Sequence, residues 1–145
     1  MYKTILLAYD GTTYSQRVLQ HGADLARLCQ AQLHLLSIVD TTGNMAIAEA
    51  IGPGDVWGLE QENLQQLVQS ALAELKAQGL HVSASLRSGA PDIEIVNHAR
   101  QIHADLVMLG HTSKGMLTRW LQGSVCGKLL DHLPCNLLVV AGDTN

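Results

Sequence analysis

Thr4-Ile5-Leu6-Leu7-Ala8-Tyr9, closed by Asp10-Gly11-Thr12-Thr13, is the stretch that decides the fold. It is mostly apolar on both alternating faces, which predicts a strand buried on each side, and its closing residues offer a turn and helix caps. A helix follows at once. Val18, Leu19, Gly22, Ala23, Ala26 and Cys29 recur at helical spacing across residues 15–30. Residues 33–39 predict a second buried strand. Residues 40–58 hold Gly43, Gly52, Pro53, Gly54 and Gly58 without a firm period. They read as a long mobile connection with one helical turn over residues 45–50, and its glycines suit a lid over a ligand.

Further along, Leu64, Leu67, Val68, Ala71, Leu72 and Leu75 mark a helix stopped by Gly79. Residues 82–86 alternate apolar and polar side chains, as a more exposed strand does, and Gly89-Ala90-Pro91 leads into a helix with Ile95, Val96, Ala99 and Ile102 as its buried stripe. Residues 104–109 predict a fourth strand, ahead of the polar stretch Gly110-His111-Thr112-Ser113-Lys114-Gly115. Leu117, Leu121, Val125 and Leu129 indicate helical structure that Gly123 either interrupts or begins. Leu137-Leu138-Val139-Val140-Ala141 is the last strand. The fold class is therefore α/β: one domain over residues 1–145, with a doubly wound, five-stranded parallel sheet in the order 3-2-1-4-5 and helices on both faces. Ligands of such sheets sit past the carboxyl ends of the strands where the winding reverses, which singles out the loops beginning at Asp10, Asp40 and Gly110.

Composition narrows the partners. With 47% apolar and 15% charged residues the chain has the makings of a folded core, and the 9 Lys and Arg against 13 Asp and Glu give a net charge of −4. That sign disfavours nucleic acid and anionic lipid, and an aromatic share of 3% without Phe disfavours base stacking. Cys29, Cys126 and Cys135 form no C-x-x-C pair, which fits a reducing compartment. The opening apolar run is too short for a signal segment or a bilayer span, so a cytoplasmic protein without membrane insertion is expected.

Familiar nucleotide motifs fail one by one. Gly110 and Gly115 have the spacing of a P-loop, but Met116 and Leu117 stand where Lys and Ser or Thr would hold phosphate and magnesium. Gly123-Ser124-Val125-Cys126-Gly127-Lys128 is one residue short of the same motif, and Gly52, Gly54 and Gly58 miss the dinucleotide spacing. A phospho-receiver would need an aspartate and a lysine at strand ends that here read Arg87-Ser88 and Ala141-Gly142. A hydrolase built on Asp10, His111 and Ser113 or Ser124 lacks G-x-S-x-G. His21, His34, His81, His98, His103 and His132 show no ligand spacing and take ordinary surface or core roles. His132-x-x-Cys135 has no visible second half, so no metal centre is expected. Cys126, near a helix start, is either an oxidant-sensitive thiol or a small buried residue.

The frame left standing is Gly110-x-x-Ser113, nine residues, then Gly123-Ser124. Gly110 permits a sharp turn, and Gly123-Ser124 can open a helix whose free N–H groups attract a phosphate. With this frame the sequence resembles the universal stress protein family over nearly its whole length. Lys3-Thr4-Ile5-Leu6-Leu7-Ala8-Tyr9-Asp10-Gly11-Thr12 resembles the family's opening, and residues 33–40 its second strand. Gly123-Ser124-Val125 with Pro134-Cys135-Asn136-Leu137-Leu138-Val139-Val140 resembles its ending.

The resemblance implies a stress-response regulator binding ATP or another adenine nucleotide, with magnesium as an optional companion. By the same resemblance Ala8, Tyr9 and Asp10 would line the nucleotide, Asp10 near the ribose or a phosphate-bound cation. The backbone of Val39 would read the adenine edge, and Leu109, Gly110, His111, Thr112 and Ser113 would form the opposite wall. Gly123, Ser124, Val125 and Cys126 would cradle phosphate. Two departures, Ser113 for the family's second glycine and Cys126 where a hydroxyl residue is common, favour an alternative: a family dimer without nucleotide, acting through an unknown protein partner. A slow ATPase ranks last, for want of a positioned base. The uncovered run at residues 137–141 has no Lys or Pro to discourage pairing, so a homodimer through that edge is expected.

Overall fold

The computed structural model describes residues 1–9, 13–40, 55–111 and 125–141. Strand and helix alternate through β1 (Thr4–Ala8), α1 (Thr13–Cys29), β2 (Gln32–Asp40), α2 (Asp55–Ala77), β3 (Val82–Gly89), α3 (Pro91–Gln101), β4 (Leu106–His111), α4 (Val125–His132) and β5 (Asn136–Ala141). The sheet order is β3-β2-β1-β4-β5 and each pairing is parallel, as the sequence predicts.

Alternation along the buried strands divides the core into two layers. Ile5, Leu7 and Tyr9 of the first strand and its continuation, with Leu33, Leu35, Leu106 and Met108, pack under Val18, Leu19, Ala23 and Ala26 of α1 and Leu64, Val68, Ala71 and Leu75 of α2. Leu6, Ala8, Leu36, Ile38, Val107 and Leu109 pack on the other side against Ile95, Val96 and Ala99 of α3 and Leu129 of α4. Each fully buried Leu or Ile contributes about 1.5–3 kcal/mol, so this two-sided burial is what makes the central strands predominantly apolar. The chain thus winds one way through α1 and α2, then returns across the sheet through α3 and α4, and the reversal falls between β1 and β4.

Local signals set the ends of the elements. Gly79 stops α2 at φ +84°, a conformation that suits glycine, and its N–H donates to the Lys76 carbonyl at 3.0 Å. Pro91 occupies the first turn of α3, with Asp92 and Glu94 favourably placed near the positive end of the helix. At the amino end of the sheet Asp105 accepts the backbone N–H groups of Lys3 (2.8 Å) and Thr4 (3.1 Å), which fixes where β1 enters beside β4.

Several expected boundaries change. The proposed connection over residues 40–58 gives up Asp40 to β2 and its last four residues to α2, which begins at Asp55. Gly58 weakens the helical signal locally, but the strong period downstream carries the helix back through it. The third strand runs on to Gly89, paired throughout with β2, and the fourth starts at Leu106 and ends at His111 instead of spanning 104–109. The helical turn over 45–50, the glycines at 52 and 54 and the helical signal of Leu117 and Leu121 lie outside the described residues. Among the described residues, no helix is long and apolar enough to cross a membrane.

Candidate functional site

The central strand is shorter than its neighbours. Pairing between β1 and β2 ends at Ala8↔Leu36, yet β2 continues through residues 37–40, still paired with β3. On the other side β1 and β4 part after Leu7↔Met108, while β4 continues through Leu109, Gly110 and His111 paired with β5. At about 3.3 Å per residue the two neighbours outrun β1 by roughly 13 and 10 Å, and two strand spacings separate them by about 10 Å. The carboxyl end of the sheet therefore carries a step above β1, at the switch point where such sheets hold ligands.

Around this step, Ala8 is 8% exposed on the α3 side and Tyr9 is 1% exposed on the α1 side. The Tyr9 side chain belongs to the core, and its hydroxyl accepts a hydrogen bond from Gln16 Nε2 at 2.7 Å. It can face a ligand only through its backbone. Val39 and Leu109, each 2% exposed, likewise present main chain at the step, and Gly110 is half-buried beside Val140. His111 is the last residue of β4, so Gly110 does not end the strand as expected. Val125 and Cys126 open α4, the helix that returns to β5. The structure thus brings Ala8, Tyr9, Val39, Leu109, Gly110 and His111 to one end of three adjacent strands. Asp10, Thr112, Ser113, Gly123 and Ser124 lie outside the described residues, as does most of the connection read as a lid. Among the described residues no three His, Cys, Asp or Glu side chains are grouped to hold a metal ion.

A sequence model of the universal stress protein family matches residues 1–141. The chain belongs to the universal stress protein family. A universal stress protein of Methanocaldococcus jannaschii is 31% identical over 144 residues, covering 97% of this chain and 82% of the relative. The solved universal stress protein UspA from Lactobacillus plantarum superposes with a TM-score of 0.77 at 23% identity, covering 96% of this chain and 97% of that one. A universal stress protein from Archaeoglobus fulgidus, solved in complex with dAMP, superposes with a TM-score of 0.66 at 18% identity, covering 96% and 98%. The shared fold is that of universal stress proteins, an adenine nucleotide alpha hydrolase-like arrangement.

One residue of this universal stress protein escaped the sequence reading. Ser37 is fully buried, and its hydroxyl donates to the Tyr9 carbonyl at 2.5 Å, while the Tyr9 N–H donates to the Leu36 carbonyl at 2.9 Å. A side chain thus continues the link between the chain leaving β1 and β2 beyond their last register pair. The signal was a single hydroxyl within Leu35-Leu36-Ser37-Ile38-Val39, where a buried polar group needs a partner. Ser37→Ala leaves the Tyr9 carbonyl without this donor and is expected to destabilise the fold by about 1–2 kcal/mol. Urea unfolding reads this as a lower midpoint, and an unchanged midpoint would show that the bond contributes nothing net.

Proposed function

We propose that this universal stress protein is a cytoplasmic, homodimeric stress-response regulator whose single domain binds an adenine nucleotide at the step above β1. The observation that carries the reading is the early end of β1 between β2 and β4, which brings main-chain edges of both neighbours to the switch point. Backbone N–H and C=O groups around Val39 suit the donor and acceptor pattern of an adenine edge. The glycine frame and the dAMP held by the Archaeoglobus relative support the same reading.

In this proposal the main chain of Ala8 and Tyr9 floors the site, and Asp10 serves the ribose or a phosphate-bound magnesium. Leu109, Gly110, His111, Thr112 and Ser113 wall it. Gly123, Ser124, Val125 and Cys126 take the phosphates at the start of α4, where unpaired N–H groups and the helix dipole favour negative charge. Equilibrium titration with ATP, ADP and AMP tests the reading, and no binding at millimolar concentration overturns it.

Gly123→Val is the sharper test, because a branched side chain at this position would occupy phosphate space. A loss of affinity of at least about tenfold, 1.4 kcal/mol, is expected in a variant shown to be folded. Ser113→Gly is expected to keep or strengthen binding. Wild-type affinity in folded Gly123→Val, with no effect of Ser113→Gly, would remove the frame from the site.

A second reading is favoured by Ser113 and Cys126, the two departures from the binding pattern. On it, the dimer acts through a protein partner without nucleotide. Protein purified free of nucleotide and showing no thermal shift with ATP would support this reading over the first.

A further inference from the structure

His98 lies on the sheet-facing side of α3, is 6% exposed, and its Nδ1 is buried with no hydrogen-bond partner. The charged and titratable groups around it are unusual in sign. From β2 comes His34, whose Nδ1 meets Ser83 Oγ at 2.7 Å, and from β3 comes Arg87, whose Nη2 donates to Gln101 Oε1 of α3 at 3.2 Å. That last bond holds the guanidinium against α3. Among the described residues the carboxylates on the surrounding elements are Asp92 and Glu94 in the first turn of α3, Glu94 one turn before His98 with its carboxyl beside Gly89, then Asp105 on the N–H groups of Lys3 and Thr4, and Asp131 exposed on α4. His132 of α4 is exposed and accepts Arg100 Nη2 through its carbonyl at 3.0 Å. The Lys128 side chain lies outside the described residues.

We propose that His98 is a pH-sensing residue that keeps α3 docked on the sheet while its imidazole is neutral and loosens that helix when the ring takes a proton. A protonated ring carries N–H on both nitrogens, so Nδ1 becomes a buried donor without an acceptor, and the added charge sits beside Arg87 and His34, the charged groups of the described residues that act on it. Burial first, then Arg87 and His34, hold the His98 pKa below its ordinary value of 6.5, and burial lowers that of His34 as well. The sign follows from proton uptake. Well above pH 6.5 the ring is neutral whether or not α3 is docked, and at pH 6.5 the undocked ring is already half protonated. Below it the undocked or unfolded state binds the proton first, so docking weakens until the pH reaches the depressed native value, where the loss is complete. The inference rests on the packing of α3 and stands apart from nucleotide binding.

Hydrogen exchange by mass spectrometry on the full chain, corrected for intrinsic rates, compares α3 with β4 from about pH 7.5 to about pH 5. Wild-type α3 is expected to lose protection relative to β4 as the pH falls, and His98→Gln to flatten that response. His34→Gln should shrink the response without abolishing it. Should His98→Gln fail to fold, an NMR titration of the wild-type imidazoles decides, with His98 expected below 6.5. Unchanged relative protection of wild-type α3, a full response in folded His98→Gln, a response abolished by His34→Gln alone, or a His98 midpoint at or above 6.5 each overturns the proposal.

Discussion

Leu7→Ala is expected to cost the fold about 3 kcal/mol, a large share of the stability of a domain this size. Leu7 is fully buried in the layer beneath α1 and packs directly on Gly22, where an added Cβ would fall inside van der Waals contact with Leu7 Cδ1. The same Cβ would stand 3.7 Å from Leu33 Cδ1 and from Met108 Sδ, so the glycine is where α1 comes closest to the sheet. Gly22→Ala gains about 1 kcal/mol in helix propensity and overpacks this contact at about 1–3 kcal/mol, a net change of about 0–2 kcal/mol against the fold. Combined, the two substitutions partly cancel, because the methyl added on α1 enters space vacated on β1. Urea unfolding of the four proteins is expected to show a favourable coupling of at least about 0.5 kcal/mol. Strict additivity would mean that the two residues do not share this space.

Val139→Lys is expected to convert the proposed dimer to a monomer. The strand pairs through Leu109↔Val139 on one side and forms the sheet edge on the other, with Leu138 41% and Val139 42% exposed and Leu130 of α4 at 55%. In a monomer a lysine at position 139 reaches water, so folding survives. In a two-fold pairing of β5 strands it would bury two unpaired ammonium groups. A cost on the order of 3 kcal/mol or more weakens association over a hundredfold. Sedimentation velocity reads the change directly. A folded variant that stays dimeric places the interface elsewhere.

The fold was legible because two-sided burial leaves a coarse mark: β1, β2 and β4 are apolar runs, and the edge strand β3 alternates. The depth of the step above β1 was not. How far β2 and β4 outrun β1 depends on registers between strands distant in sequence, such as Leu7↔Met108, which no local pattern encodes. Tyr9 illustrates the difference. Its place at the strand end could be read from the sequence, but its capture by Gln16 and by the core could not. His98 falls on the apolar stripe three residues after Ile95, and a spacing rule for ligands passes over it because its environment is assembled from β2 and β3.

The hydrogen-bonded ladder joining β4 to β5 has two ends of different interest. Gly110↔Val140 and His111↔Ala141 are rungs of one short row, so the wall proposed for the nucleotide and the edge proposed for a second chain are a single strand spacing apart. A second chain pairing with β5 would therefore act on the strand that is hydrogen-bonded to that wall. Any shift in β5 on dimerisation that favours a bound nucleotide must be matched, by thermodynamic reciprocity, by tighter dimerisation when nucleotide is present. The sheet edge would then act as a gauge of ligand occupancy, reporting through the subunit equilibrium what is held one strand away.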